Sequence, residues 1–190
     1  MNSEQLLMNV FKKYDSYDQN KLSLQQFIRM VTNLGRHVPE LRGFELDNAR
    51  AAFRFFDIDV DGYLSFDEFR TWWACKDRYD YLAGEKSKVL GQAYLIFANH
   101  SKDNRMTLSE FTDLQDEIAK QFHEKSDITM DMAEDEFRKI DINQDGVISF
   151  DEFVKWLGWL IPQREERKKV NTKKVREKIF NRVIKYDFSL

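Results

Sequence analysis

The sequence predicts an all-α protein of four helix-loop-helix units in two pairs, followed by a C-terminal amphipathic helix. Three observations carry that expectation. Four twelve-residue segments, Asp15–Gln26, Asp57–Glu68, Asn99–Glu110 and Asp141–Glu152, begin 42 residues apart each time, and a fixed period of this length marks stacked copies of one supersecondary unit. A phenylalanine follows each segment, at Phe27, Phe69, Phe111 and Phe153, and an apolar residue holds its eighth place, at Leu22, Leu64, Met106 and Ile148. Apolar residues also recur at helical spacing around the segments, which places each loop between amphipathic helices.

The first unit enters on Leu7, Val10, Phe11 and Tyr14 and leaves on Phe27, Met30 and Val31. The second enters on Ala49, Ala52, Phe53 and Phe56 and leaves on Phe69, Trp72 and Trp73; the third leaves on Phe111 and Leu114, the fourth on Phe153, Trp156 and Leu157. Pro39 and Pro162 fall between units, where neither interrupts a helix interior. Ala83-Gly84 is the best break between lobes. The expected division is therefore 1–83 for the first pair, 84–161 for the second and 162–190 for a basic tail.

Sixteen Phe and four Trp in 190 residues predict a ring-rich core. The single cysteine, Cys75, cannot form an internal disulfide and is expected to be a buried, inert thiol in a reducing, cytoplasmic compartment. Met1 to Gln5 lacks the basic and apolar regions of a secretory signal, and the longest apolar stretch, Trp156 to Ile161, is too short to span a bilayer. Asn2 stands where N-myristoylation requires Gly. The net charge of −3 conceals a split: Pro162 to Leu190 carries ten Lys/Arg against four Asp/Glu, leaving about −9 on residues 1–161.

The loops have the chemistry of hard-cation sites. Ca²⁺ takes six to eight oxygens, and a twelve-residue loop supplies them from places 1, 3, 5, 7, 9 and 12, the last contributing two. Loop two offers Asp57, Asp59, Asp61, the Tyr63 carbonyl, Ser65 and Glu68; loop four offers Asp141, Asn143, Asp145, the Val147 carbonyl, Ser149 and Glu152. Gly62 and Gly146 hold the sixth place, where the turn needs a left-handed residue. Both loops match every fixed position of the pattern D-x-[DN]-x-[DN]-G-x₅-E. Loop three offers Asn99, Ser101, Asp103, the Arg105 carbonyl, Thr107 and Glu110, with only two carboxylates among them and Asn104 at the sixth place. Its affinity is expected to be weaker, and the sequence leaves open whether it binds Ca²⁺ as a third site or not at all. Loop one keeps Asp15 but has Tyr17, Gln19 and Gln26 at places 3, 5 and 12. Gln26 cannot chelate through two carboxylate oxygens, so loop one is expected to be structural.

On these loops the chain resembles the EF-hand superfamily, in its four-hand calmodulin-like and sarcoplasmic-calcium-binding-like members, over residues 3–161. The resemblance implies that neighbouring loops pair through short strands, with Leu22 opposite Leu64 and Met106 opposite Ile148. It also implies a choice between a sensor, whose helices swing apart to expose a groove, and a buffer, which barely opens. Only Met30 and Met106 of the six methionines lie on the inward stripe, which disfavours a promiscuous Met-lined groove. The reading favoured is an intracellular sensor with narrow partner choice; the alternative is a cytosolic buffer. A more remote alternative is a calcium-triggered photoprotein, whose members end in a proline-capped C-terminus where this chain ends Tyr186-Asp187-Phe188-Ser189-Leu190.

No enzyme is expected, because no phosphate-cradling glycine loop occurs and His37, His100 and His123 lack zinc-ligand spacing or a paired nucleophile. In the tail, Val175, Ile179, Val183 and Tyr186 recur at helical spacing beside Phe180 and Ile184, with Lys174, Lys178, Arg182 and Lys185 opposite. Such a helix docks on its own body, captures a target protein, or lies on an anionic membrane through residues 173–190. Docking is the favoured fate, since an apolar stripe left in water is costly. No nucleic-acid partner is expected, since the acidic body repels phosphates.

Overall fold

The computed structural model describes residues 3–121 and 129–158. The tail, Trp159 and His123 lie outside the described residues. The described residues are mostly helical, with only short strands, so the all-α expectation holds.

In order, the first part of the chain forms α1 (Ser3–Tyr14), β1 (Lys21–Ser23), α2 (Leu24–Gly35), a 3-10 turn (Pro39–Leu41), α3 (Leu46–Phe56), β2 (Tyr63–Ser65), α4 (Phe66–Ala74) and α5 (Asp80–Ala83). It continues through α6 (Glu85–His100), β3 (Arg105–Met106), α7 (Leu108–Gln121), α8 (Met130–Ile140), β4 (Ile148–Ser149) and α9 (Phe150–Leu157). Two compact units result, Met1–Gly91 and Gln92–Leu190, and the division falls within α6, beyond the helix break at Gly84.

Each unit pairs its loops through a two-stranded antiparallel ribbon. Leu22 faces Leu64 in one and Met106 faces Ile148 in the other, and all four are fully buried. The ribbon fixes the register of two loops at once, because a one-residue slip would turn these side chains out to water.

The helices that leave the loops start the same way. Ser23, Ser65 and Ser149 each accept from the backbone N–H three residues on, while the side chain of Gln26, Glu68 or Glu152 accepts from the serine's own N–H. These are capping boxes, and each satisfies two otherwise orphaned donors. Thr107 and Glu110 make the same exchange at the start of α7, at 2.9 and 3.4 Å. The ninth and twelfth places of every loop are therefore also a helix start signal.

Rings fill both cores. In the first unit Phe27 meets Phe53 and Trp72 edge-on at 5.7 and 5.3 Å, and Phe11 meets Phe66 and Phe69 at 5.4 Å each. In the second, Phe97 meets Phe150 and Phe153 at 5.4 and 5.3 Å, and Phe111 meets Trp156 at 5.7 Å. Two expectations change. Trp73 is only half-buried, because its direction on α4 differs by about 100° from that of Trp72 and both cannot point inward. It lies instead beside Glu4, Leu7 and Arg70, with the Arg78 guanidinium 4.8 Å from its ring. Cys75 is likewise half-buried rather than buried, since it caps the exposed end of α4.

Candidate metal centres

Loop two begins where α3 ends. Asp57 caps that helix, its N–H donating to the Phe53 carbonyl at 2.9 Å, and its side chain is buried. Asp57 Oδ2 accepts from the Gly62 N–H at 3.2 Å, which pulls the sixth residue back over the first. Gly62 accordingly takes φ +88°, a conformation only glycine adopts without strain. Asp59 and Asp61 then tighten the turn by accepting from the amides of Asp61 and Tyr63 at 3.1 and 2.8 Å.

Glu68 closes the loop. Its Oε1 accepts from the amides of Ile58 and Asp59 at 2.8 and 3.4 Å, and its Oε2 accepts from the Ser65 amide and hydroxyl, both at 2.8 Å. One carboxylate thus ties the second, third and ninth places of the loop to the first turn of α4.

The set fits a hard divalent cation. Ligand oxygens of Asp57, Asp59 and Asp61 lie within 4.8 Å of one another. Asp57 Oδ1 is buried without a hydrogen-bond partner, which costs free energy unless a cation meets it. Burial pushes the Asp57 carboxyl up to about 6 despite the pull of the Arg54 guanidinium, and nearby Glu68 adds to the rise.

Loop four repeats this arrangement. Asp141 caps α8 and accepts from the amides of Asp145 and Gly146 at 3.1 and 3.0 Å. Asn143 Oδ1 accepts from the Asp145 amide, and Asp145 Oδ1 from the Val147 amide, both at 3.1 Å. Glu152 takes the amides of Ile142 and Asn143 on one oxygen and both Ser149 donors on the other. Gly146 sits at φ +84°. The structure therefore gathers the side chains expected in loops two and four, and the Tyr63 and Val147 carbonyls belong to those same turns.

Loop one keeps the frame of the turn. Asp15 accepts from the Gln19 and Asn20 amides at 3.1 and 2.7 Å, Gln26 caps α2, and Tyr17 points into solvent.

Loop three departs from the expected register. Helix α6 runs through His100, two residues past the point where the other entering helices stop, so Asn99 is an exposed helical residue. Ser101 takes the capping role, its N–H donating to the Phe97 carbonyl at 2.9 Å as Asp57 and Asp141 donate to Phe53 and Phe137. The left-handed residues are Asp103 and Asn104 in sequence, whereas Val60 and Gly62, or Gln144 and Gly146, are separated by one. Glu110 receives Lys102 rather than the second and third residues, and Asp103 is exposed. The turn between Ser101 and Glu110 thus brings Thr107 and Glu110 together, while Asn99 stays on α6, Asp103 is exposed and Arg105 is on the paired strand.

Two residues that sequence reasoning passed over touch the centres. Arg54 Nη1 lies 3.1 Å from Asp57 Oδ2, and Lys21 Nζ lies 3.6 Å from Asp61 Oδ2. Their spacing signals were present, three residues before the loop and directly across the ribbon, but neither place belongs to a ligand pattern.

Comparison with known proteins bears on the family. A family model described as an EF-hand domain pair matches residues 4–74 and 97–158. The chain is 25% identical over 145 residues to "Probable calcium-binding protein CML34" of Arabidopsis thaliana, covering 76% of this chain and 91% of that protein. It also matches the solved structure of a homolog of programmed cell death 6 protein from Leishmania major, at 16% identity and a TM-score of 0.30, over 81% of this chain and 76% of that one.

Proposed function

This chain belongs to the EF-hand domain-pair family, and we propose that it is a Ca²⁺-binding protein with two sites, in loops two and four, that couples ion binding to movement of α4 and α9. The relative's printed name, a calcium-binding protein, supports the choice of ion. The observation that carries the reading is the double duty of Glu68 and Glu152. Each is nearly buried, and each joins the loop to the first turn of the helix that follows. When bound, the ion supplies a divalent charge that takes oxygens from places 1, 3, 5, 7, 9 and 12. Glu68 and Glu152 would hold the ion at the twelfth place while also accepting the backbone amides of their loops, so a change in those bonds would be passed to the first turns of α4 and α9. Loop three, shorter by the two residues that α6 takes, is left without a comparable ligand set.

The sensor reading rests on that linkage and on the separate use of a basic segment, residues 162–190, as an occupant for any surface exposed. A buffer reading has its own support, since Phe69, Trp72, Phe153 and Trp156 are already packed in the cores. Dye binding to apolar surface, with and without Ca²⁺, separates them: an increase with Ca²⁺ supports the sensor, and no change supports the buffer. Among the described residues no helix is long and apolar enough to cross a membrane. A cytoplasmic location is part of the same proposal and rests on the lone thiol Cys75.

A further inference from the structure

Counting ligand charges makes loop two the tighter site, because Asp59 stands where loop four has Asn143. The surroundings of the two loops act against that order. Both carry an arginine three residues before the first aspartate, Arg54 and Arg138, but the two meet different partners. Arg138 has Glu134 and Asp135 one turn back and pairs with both, at 3.0 and 3.6 Å, with its side chain 71% exposed. Arg54 has Arg50 and Ala51 in those places. With no carboxylate there to divert it, Arg54 bonds Asp57 Oδ2 at 3.1 Å, and its side chain is only 20% exposed.

Packing keeps it there. The Arg54 guanidinium lies 5.6 Å from the Phe53 ring, and its Nε is buried without a partner. A second cation approaches from the paired strand: Lys21 Nζ sits 3.9 Å from the Tyr63 ring centroid and 3.6 Å from Asp61 Oδ2. Among the described residues no Lys or Arg forms an ion pair with Asp141, Asp145 or Glu152 of loop four. A divalent cation entering loop two must share two of its carboxylates with neighbouring positive charges: the Arg54–Asp57 pair is largely buried and so poorly screened by salt, whereas the Lys21–Asp61 pair is more exposed and competes less.

We propose that Arg54 and Lys21 are built-in competitors for the ion that weaken loop two, so that loop four fills first as Ca²⁺ rises and loop two fills in a second, higher range. The inference rests on the reading that both loops bind Ca²⁺. The test is a Ca²⁺ titration of the full chain followed by the amide resonances of Gly62 and Gly146, each of which donates to the first aspartate of its own loop. Gly146 is expected to reach its midpoint at lower Ca²⁺ than Gly62. Arg54→Met should lower the Gly62 midpoint about tenfold, and Lys21→Met severalfold in the same direction. Arg50→Met, one turn farther back, should move it less than about twofold, and Arg138→Met should leave Gly146 equally unmoved. Should Arg54→Met fail to fold, Lys21→Met and the order of filling in the parent chain still decide the matter. Gly62 filling first or together with Gly146, or Arg54→Met acting no more than Arg50→Met, would overturn the inference while leaving the Ca²⁺ reading intact. If neither glycine responded to Ca²⁺, both would fall.

Discussion

Replacing Glu68 by glutamine removes one carboxylate oxygen and puts an amino group in its place. Glu68 is 8% exposed, and its oxygens accept from the Ile58, Asp59 and Ser65 amides and the Ser65 hydroxyl. Loop one displays the outcome of the same chemistry. There Gln26 Oε1 accepts from the Ser23 amide at 2.7 Å, while Gln26 Nε2 is buried without a partner. Glu68→Gln should therefore keep the cap of α4 and set an amide donor against the Ile58 and Asp59 N–H groups. Hydrogen bonds to a charged acceptor contribute about 1.5–3 kcal/mol, and an orphaned buried donor costs about 1–3 kcal/mol. Relief of a buried charge offsets part of this, giving a net loss of about 2 kcal/mol without Ca²⁺. For a unit of this size that is a fall of about 10 °C in Tm. Circular-dichroism melts in chelator should show this fall, and calorimetry should show one Ca²⁺ fewer per chain, because the twelfth place no longer gives two carboxylate oxygens. A chelated Tm within about 2 °C of the parent would refute the hydrogen-bond argument, and an unchanged stoichiometry would refute the ligand assignment.

Other perturbations read other parts of the structure. Val60 holds φ +56°, a left-handed conformation that costs a β-branched residue about 1–3 kcal/mol, so Val60→Asn should raise the denaturant midpoint by the equivalent of about 1 kcal/mol; a lower midpoint would count against strain there. In α6, Phe97 is fully buried and Leu95 is 56% exposed, so Phe97→Ala should cost about 3–5 kcal/mol in a denaturant titration and Leu95→Ala less than about 0.5. The reverse ranking would restore a twelve-residue loop three. Truncation after Ile161 should increase Ca²⁺-dependent dye binding, and adding residues 162–190 back as a peptide should reverse it; loss of binding to anionic vesicles with no change in dye binding would make the segment a membrane anchor instead.

The unit, the loops with the full oxygen pattern and the strand register could be read from the sequence because each rests on local rules. A 42-residue period, a fixed oxygen pattern and a period-two ribbon leave few alternatives at Leu22, Leu64, Met106 and Ile148. The serine caps are equally local, yet Ser65 and Glu68 also fall on the metal pattern, which masks the helix start signal they carry. Loop three misled because regular spacing of the exits at Phe111 and Phe153 says nothing about where the entering helix stops. Helix α6 continues two residues further and buries Phe97 against Phe150 and Phe153, as Phe11 is buried against Phe66 and Phe69 in the other unit. The Arg54 contact depended on what its neighbours lacked. An arginine at that place is unremarkable until Arg50 and Ala51 are compared with Glu134 and Asp135.

The number and place of the bound ions decide between the four loops. Calorimetric titration of the full chain with Ca²⁺, repeated on Glu68→Gln and Glu152→Gln, should give two ions per chain for the parent and one for each variant. A parent value of four, or two ions retained in both variants, would contradict the assignment of the sites to loops two and four.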